Sequence, residues 1–160
     1  MAGSEAGEDS GEQVEGPPLG SARGDPKLGP GGDPELVEGP HVLIVDDEPP
    51  ARALLRAAVE ALPFPCRISE AGNSEAALEI SRSSRPDVVL LDIVLPDSKG
   101  SGVMVCKELC QDLRTRVVIV TAQPGGRMID MCLNAGAVAH IQKPFSVPDL
   151  RAKLEGWLAE

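Results

Sequence analysis

Aromatic residues are scarce in this chain of 160 residues, which contains two phenylalanines, one tryptophan and no tyrosine. Basic residues form no cluster, and the formal net charge is -10. A surface that binds nucleic acid needs concentrated positive charge, and single strands commonly stack on aromatic side chains. The sequence therefore predicts that this chain does not bind DNA or RNA directly.

Long apolar runs are also missing. No stretch of the sequence approaches the roughly 20 apolar residues that cross a bilayer as a helix. The amino terminus lacks the basic region and the apolar segment of a signal peptide. We therefore expect a cytoplasmic protein without membrane association.

Cysteine pairs at metal-binding spacing are absent from the sequence. The four cysteines form no CxxC pair and have no histidine at the spacing of a zinc ligand, and all four lie within apolar patterns: Cys66, Cys106, Cys110 and Cys132. Free cysteine behaves as a small hydrophobic residue. The sequence therefore predicts four buried free thiols.

Residues 1–40 differ from the rest of the chain in composition. They hold ten glycines, six prolines, nine acidic residues and two basic residues, with few bulky apolar side chains. Such a segment cannot bury enough apolar surface to offset the entropy lost on ordering. We predict a disordered tail over 1–40, which either acts as an acidic interaction arm or only adds solubility, and one folded domain over 41–160.

From His41 onward, short apolar runs alternate with longer segments of helical period, a pattern typical of repeated β-α units around a parallel sheet. Arg67 and Ser69 interrupt the second run, as suits a strand at a sheet edge. The third and fourth runs are unbroken and aliphatic, as expected of central strands. The predicted strands are His41–Val45, Cys66–Ala71, Val88–Leu91, Val117–Val120 and Ala139–Gln142.

Five helices are predicted between and after these strands. The first covers about 50–62, the second runs from an Asn73 or Ser74 cap to about 83, and the fourth covers 128–135 before Gly136. Ser146, with Asp149 three residues later, resembles a capping box for the last helix. The third helix is predicted from an apolar face at helical spacing, formed by Cys106, Leu109, Cys110 and Leu113.

Four of the predicted strands end in residues that a phosphoryl-transfer site would need. Asp46 and Asp47 follow the first strand, Asp92 the third, Thr121 the fourth and Lys143 the fifth. The carboxyl ends of parallel strands meet at one edge of the sheet, where ligands bind. We therefore expect these five side chains to converge on one crevice.

Three carboxylates at one crevice repel one another unless some protonate or a cation lies among them. Magnesium prefers oxygen ligands and is usually bound by one or two carboxylates together with phosphate oxygens. With Mg²⁺ bound, Asp92 could attack a phosphoryl group and form an aspartyl phosphate. Lys143 and the Thr121 hydroxyl would hold the remaining phosphoryl oxygens.

Each of these residues also has a local structural explanation. Asp47 could cap the first helix, Asp92 could open a turn before Pro96, Thr121 could cap the fourth helix, and Lys143 could be a solvated surface residue. These separate explanations do not account for the order of the residues. An acid pair, a single acid, a hydroxyl and an amine each follow the end of a predicted strand. The sequence therefore favours a common site.

Four motifs together resemble the receiver domain of two-component response regulators, here as a stand-alone receiver: Val45-Asp46-Asp47-Glu48, Leu91-Asp92-Ile93-Val94-Leu95-Pro96, Val120-Thr121-Ala122 and Lys143-Pro144-Phe145. The resemblance covers residues 41–160. It implies an α/β fold of the flavodoxin-like type, with a five-stranded parallel sheet in the order 2-1-3-4-5 and helices on both faces.

The resemblance also implies a metal site. Asp92 would be the phosphoacceptor, and Asp47 and Asp92 would bind Mg²⁺ directly together with the main-chain carbonyl of Val94. Asp46 would act mainly through a metal-bound water. Lys143 would pair with the phosphoryl group.

The resemblance further implies a cis peptide bond between Lys143 and Pro144 and a two-state switch. Thr121 would move toward the phosphoryl group, and His140, which stands where the family usually has tyrosine or phenylalanine, would turn inward behind it. The ring of His140 either hydrogen-bonds in the outward state or is a passive exposed histidine. Only a difference in affinity between two conformers shifts their populations.

Two other departures from the family pattern lie near Asp92. The loop from Pro96 to Gly102 is longer than is typical, which could alter partner docking. Val94, two positions after the acceptor, carries no group able to orient a hydrolytic water, and Gln123 is the only nearby candidate to assist. We therefore predict slow self-dephosphorylation.

The resulting hypothesis is a phosphorelay switch that accepts a phosphoryl group from a histidine kinase or phosphotransfer protein. It would signal to a downstream protein through the fourth helix, fifth strand and fifth helix. It would not be a turnover enzyme, although it would assist its own Mg²⁺-dependent phosphorylation. Only one predicted helix follows the fifth strand, so we expect either no effector domain or a fragment of a longer chain.

Two alternatives remain open from the sequence. One is a degenerate receiver that serves as an unphosphorylated protein-interaction module. The other is a phosphohydrolase with an aspartate nucleophile, although Asp92-Ile93-Val94 lacks a second acid placed to act as general acid or base.

Overall fold

The computed structural model of the protein describes residues 38–95 and 102–159. The predicted tail over 1–40 and the loop from Pro96 to Gly102 therefore lie almost entirely outside the described residues. Within these two ranges, five strands alternate with five helices, in the order β1 (His41–Val45), α1 (Pro49–Glu60), β2 (Arg67–Ala71), α2 (Ser74–Ser84), β3 (Val88–Leu91), α3 (Gly102–Leu109), β4 (Arg116–Thr121), α4 (Arg127–Ala135), β5 (Ala139–Gln142) and α5 (Val147–Leu158).

All five strands pair in parallel in the order β2-β1-β3-β4-β5. This confirms the predicted α/β fold and strand order. The third and fourth strands lie inside the sheet, as their unbroken aliphatic runs predict: β3 is buried along its whole length, and β4 is buried from Val117 onward. β2 lies at an edge, and Glu70 within it is exposed.

The core consists of two apolar layers, one on each face of the sheet. Along β1, Leu43 and Val45 pack with side chains of α2, α3 and α4, while Val42 and Ile44 pack with α1 and α5. Successive strand residues point to opposite faces, so a strand covered on both faces must be apolar throughout. Helices therefore cover both faces of the sheet, as predicted.

Local signals at the helix ends agree with three of the predicted caps. Asn73 caps α2, its Oδ1 accepting a hydrogen bond from the Ala76 N–H at 2.8 Å. The Ser146 hydroxyl accepts from the Asp149 N–H at 3.0 Å and caps α5. Gly136 ends α4 with a φ of 126°, a region that favours glycine.

The prediction for the end of the third helix is wrong. α3 ends at Leu109, and Leu113 lies beyond it with 94% of its surface exposed. The Asp112 side chain accepts a hydrogen bond from the Arg114 N–H at 3.0 Å, and the Asp112 carbonyl accepts from the Thr115 N–H. This aspartate turn competes with helical hydrogen bonding, so the apolar spacing does not extend the helix.

All four cysteines are buried thiols that form no disulfide bond, as predicted. Cys106 and Cys132 pack between α3 and α4, and the Sγ atoms of Cys106 and Cys110 lie 3.9 Å apart. Burial raises the pKa of the Cys110 thiol, which keeps it protonated at neutral pH. These thiols act as apolar packing groups.

Among the described residues, none of the helices has both the length and the apolar composition needed to cross a membrane.

Candidate functional site

Three aspartates meet at the carboxyl ends of β1 and β3, which are adjacent strands. One carboxylate oxygen from each of Asp46, Asp47 and Asp92 lies within 4.8 Å of the others. Asp46 is fully buried, Asp92 is 7% exposed and Asp47 is exposed. The predicted convergence of the acids is therefore present, with Asp46 beneath the surface and Asp47 at the rim.

Lys143 supplies the nearest positive charge. Its Nζ atom donates to Asp46 Oδ2 at 2.6 Å and to Asp92 Oδ2 at 2.9 Å. Burial by itself lowers the pKa of Lys143, but its hydrogen bonds to Asp46 and Asp92 outweigh burial and the pKa is raised. The ammonium therefore stays charged at neutral pH and bridges the two most buried carboxylates.

The second oxygen of each buried carboxylate is held by the backbone of its own turn. Asp46 Oδ1 accepts from the Glu48 N–H at 2.9 Å, and Asp92 Oδ1 accepts from the Val94 N–H at 3.0 Å. Asp92 therefore stabilises its own turn, as the local explanation proposes, and also contacts Lys143. Hydrogen bonds on both oxygens fix the orientation of each carboxylate.

The other local explanations do not hold. The first residue before α1 is Glu48, and no side-chain hydrogen bond caps that helix, so Asp47 is not its cap. α4 begins after Gly126, so Thr121, at the end of β4, does not cap it. Lys143 is not a solvated surface residue, because only 16% of its side chain is exposed.

An open pocket of about 370 Å³ lies above these residues. Its lining combines the acids Asp47 and Asp92 with the base Lys143 and with Thr121 at the end of β4. A cation and a tetrahedral anion can therefore bind side by side, the cation on the carboxylates and the anion near the ammonium. The pocket is lined by Asp47, Glu48, Asp92, Val94, Leu95, Thr121, Ala122, Gln123 and Lys143.

His140 lies in β5, beside Ile119 of β4 and outside the lining of this pocket. It is half-buried, so the interpretation as a passive exposed histidine does not fit. Its Nε2 atom is buried and has no hydrogen-bond partner within the described part of the chain. The peptide bond between Lys143 and Pro144 is cis, as predicted.

Arg52 is a site contact that the sequence reasoning missed. From the first turns of α1, its Nη1 atom donates to the main-chain carbonyl of Asp46 at 2.7 Å. The only signal in the sequence is an arginine on the helix that follows the acid pair. An arginine in such a position is usually a solvated surface residue. Its hydrogen bond to the Asp46 carbonyl becomes evident only in the folded structure.

Comparison with known proteins gives consistent results. The family model for the response regulator receiver domain matches residues 42–155. The chain is 34% identical over 128 residues to the probable transcriptional regulator ycf27 of Guillardia theta, covering 79% of this chain and 48% of that protein. It is 33% identical over 114 residues to the KDP operon transcriptional regulatory protein KdpE of Escherichia coli, covering 71% and 49%.

Solved structures agree with these sequence relatives. A response regulator receiver domain protein (CheY-like) from Methanospirillum hungatei matches with a TM-score of 0.66 at 27% identity, covering 76% of this chain and 95% of that chain. The chain belongs to the response regulator receiver domain family.

Receiver domains are signalling switches of two-component systems, and they interact with histidine kinases and downstream effectors. They bind Mg²⁺ at an acidic pocket and are generally not turnover enzymes. This chain spans about half the length of the curated relatives it matches. Those two relatives are named as transcriptional regulators, so the expectation that no nucleic acid is involved stays untested.

Proposed function

We propose that Asp92 accepts a phosphoryl group from the phosphohistidine of a histidine kinase or phosphotransfer protein, and that this step requires Mg²⁺. The observation that carries the proposal is the position of the Asp92 carboxylate. It lines an open pocket, lies within 4.8 Å of two further carboxylates and contacts the Lys143 ammonium at 2.9 Å. These are the groups that a transferred phosphoryl group and its counter-ion need.

In the proposed transfer, a carboxylate oxygen of Asp92 attacks phosphorus. The new O–P bond forms as the N–P bond to the donor imidazole breaks, and the imidazole nitrogen takes up a proton from solvent. Lys143 then pairs with a phosphoryl oxygen, and the Thr121 hydroxyl, on the pocket wall, donates to another. The product is an aspartyl phosphate.

The donor set for the cation consists of hard oxygen atoms, as Mg²⁺ requires. In the proposal, Asp47, Asp92 and the main-chain carbonyl of Val94 hold the ion, and these three residues line the pocket. Asp46 is fully buried and acts through a metal-bound water. When bound, the ion neutralises negative charge that develops on the phosphoryl oxygens.

Phosphorylation then biases a two-state switch in the folded domain over 41–160. Thr121 ends β4, and His140 lies in β5, the strand that pairs with β4. A displacement of Thr121 can therefore be transmitted to His140 through the pairing of these two strands. The output surface in this proposal is formed by α4, β5 and α5. The phosphoryl group must bind one conformer more tightly than the other for the population to shift.

The test is to incubate the protein with Mg²⁺ and a small phosphodonor and to record its intact mass. We expect a phosphoryl adduct on the wild type, no adduct on Asp92→Asn, and no adduct on the wild type in excess chelator. An unmodified wild type in the presence of Mg²⁺ would contradict the proposal and favour the protein-interaction module. Continuous consumption of the donor without an adduct would favour the phosphohydrolase.

The adduct is expected to decay slowly. Val94 lines the pocket, is 53% exposed and carries no polar group that could orient an attacking water. Replacing Val94 with asparagine places an amide at this position and is expected to speed the decay several-fold. Decay rates come from intact mass after the donor is removed, with Met104→Gln as a control, since Met104 is exposed on α3. Equal decay of Val94→Asn and wild type would show that this position does not limit hydrolysis.

A further inference from the structure

Arg52 connects the acid pair to the edge of the sheet. Its Nη1 atom donates to the Asp46 carbonyl at 2.7 Å, and its Nε atom donates to Glu70 Oε1 at 3.1 Å. Glu70 lies on the edge strand β2, so one guanidinium joins the start of α1, the end of β1 and the edge strand. A planar guanidinium can make two such contacts at once because its donors form a rigid fork.

Glu70 is itself oriented from two sides. Its other oxygen, Oε2, accepts from Arg56 Nε at 2.6 Å, and Arg56 also pairs with Glu60 at 3.3 Å. The side chains of Arg52 and Glu70 are 24% and 31% exposed, so solvent reaches part of this ion pair. The carboxylate of Glu70 therefore holds Arg52 in the rotamer that reaches the Asp46 carbonyl.

The backbone of Asp46 is fixed on both sides as a result. Its N–H donates to the Ala71 carbonyl at 3.1 Å, and its carbonyl accepts from Arg52. These two hydrogen bonds restrain the peptide group that leads from Asp46 to Asp47. Gly72 follows β2 and lies beside the guanidinium, since a Cβ atom there would be in van der Waals contact with Arg52 Nη1 at 3.4 Å.

We propose that Arg52 is a positioning residue for the cation site: it restrains the peptide between Asp46 and Asp47 and thereby the direction in which the Asp47 carboxylate points. The inference rests on the proposed function, because the cation it serves is the Mg²⁺ of that proposal. The positive charge of Arg52 is paired with Glu70, so its main effect on the cation is geometric. Loss of an outer contact that orients a metal ligand typically weakens metal binding about 10-fold or more.

Three variants separate positioning from general stability. Arg52→Ala removes both contacts, and Arg52→Lys keeps the charge without the fork. Arg116→Ala is the control, because Arg116 also donates to a main-chain carbonyl, that of Trp157 at 2.9 Å, but lies at the start of β4, the end of the strand away from the site. The Mg²⁺ dissociation constant is measured by isothermal titration calorimetry, and the urea midpoint is measured in chelator. Both readouts are independent of phosphorylation.

We expect Arg52→Ala to weaken Mg²⁺ binding about 10-fold. Arg52→Lys should not restore binding, because one ammonium cannot replace the two-sided fork. Arg116→Ala should lower the urea midpoint while leaving the Mg²⁺ dissociation constant within about twofold of the wild type, because its hydrogen bond is far from the site. A dissociation constant for Arg52→Ala that equals that of Arg116→Ala would overturn the inference and leave the proposed function intact. A wild type that binds no Mg²⁺ would overturn both.

Discussion

Replacing Lys143 with methionine is expected to lower the free energy of unfolding by about 3 kcal/mol in metal-free buffer at neutral pH, since removing one partner of a buried ion pair typically costs about 3–5 kcal/mol. The Nζ atom bridges Asp46 and Asp92 at 2.6 and 2.9 Å, and both carboxylates are buried. Methionine fills a similar volume but leaves the carboxylates facing each other without a counter-charge.

The pH range of this effect follows from the raised pKa of Lys143. Burial opposes the shift, but the hydrogen bonds to Asp46 and Asp92 outweigh it and hold the pKa above the ordinary value of 10.5. A raised pKa means that the stabilising contribution is fully present below 10.5 and is lost only as the pH rises through the higher folded value. The difference between wild type and variant therefore persists throughout the neutral range.

Mg²⁺ should restore much of the stability that Lys143→Met loses, because the ammonium and the cation bind the same carboxylates and either can supply the counter-charge. In Lys143→Met we expect Mg²⁺ to bind more tightly than in the wild type and to raise the urea midpoint by a larger amount. Urea unfolding with and without Mg²⁺ measures both effects. Lys153→Met is the matched control, since Lys153 is exposed on α5. A variant as stable as the wild type without metal would contradict the account of Lys143 as the internal counter-charge.

Replacing Gly102 with alanine is the second change with a large expected effect. A Cβ atom at Gly102 would lie 2.1 Å from the Ile93 carbonyl oxygen and 2.3 Å from its Cα, and the Gly102 N–H already donates to that carbonyl at 3.1 Å. Both obstructing atoms belong to the backbone, so no side-chain rotation relieves the clash. We expect a loss of about 3 kcal/mol, the upper end of the usual cost of overpacking.

The Gly102→Ala substitution is also expected to affect the functional site. Ile93 directly follows Asp92, so a displaced Ile93 carbonyl moves the turn that holds Asp92 and Val94. We expect slower formation of the phosphoryl adduct and weaker Mg²⁺ binding in Gly102→Ala. Gly125→Ala is the control, because a Cβ there meets nothing within 4 Å. If urea unfolding gave equal midpoints for the two variants, the close approach at Gly102 would not constrain the fold.

Much of the architecture could be predicted from the sequence because hydrophobic period is a local property. The unbroken run Val88–Leu91 identifies a central strand, and Arg67 and Ser69 identify an edge strand. The end of α3 could not be predicted in the same way. The apolar spacing continues to Leu113, but the Asp112 turn ends the helix and leaves Leu113 exposed, which periodicity does not report.

The sequence by itself determined which residues stand at the carboxyl ends of the strands, and hence that Asp46, Asp47, Asp92, Thr121 and Lys143 belong to one edge of the sheet. Strand topology carries this information, because parallel strands share one direction. Only the tertiary structure decided that Lys143 bridges Asp46 and Asp92, that Arg52 holds the Asp46 carbonyl, and that Gly102 lies against Ile93. These contacts depend on distances of a few ångströms between segments far apart in the chain, and residue order does not specify such distances.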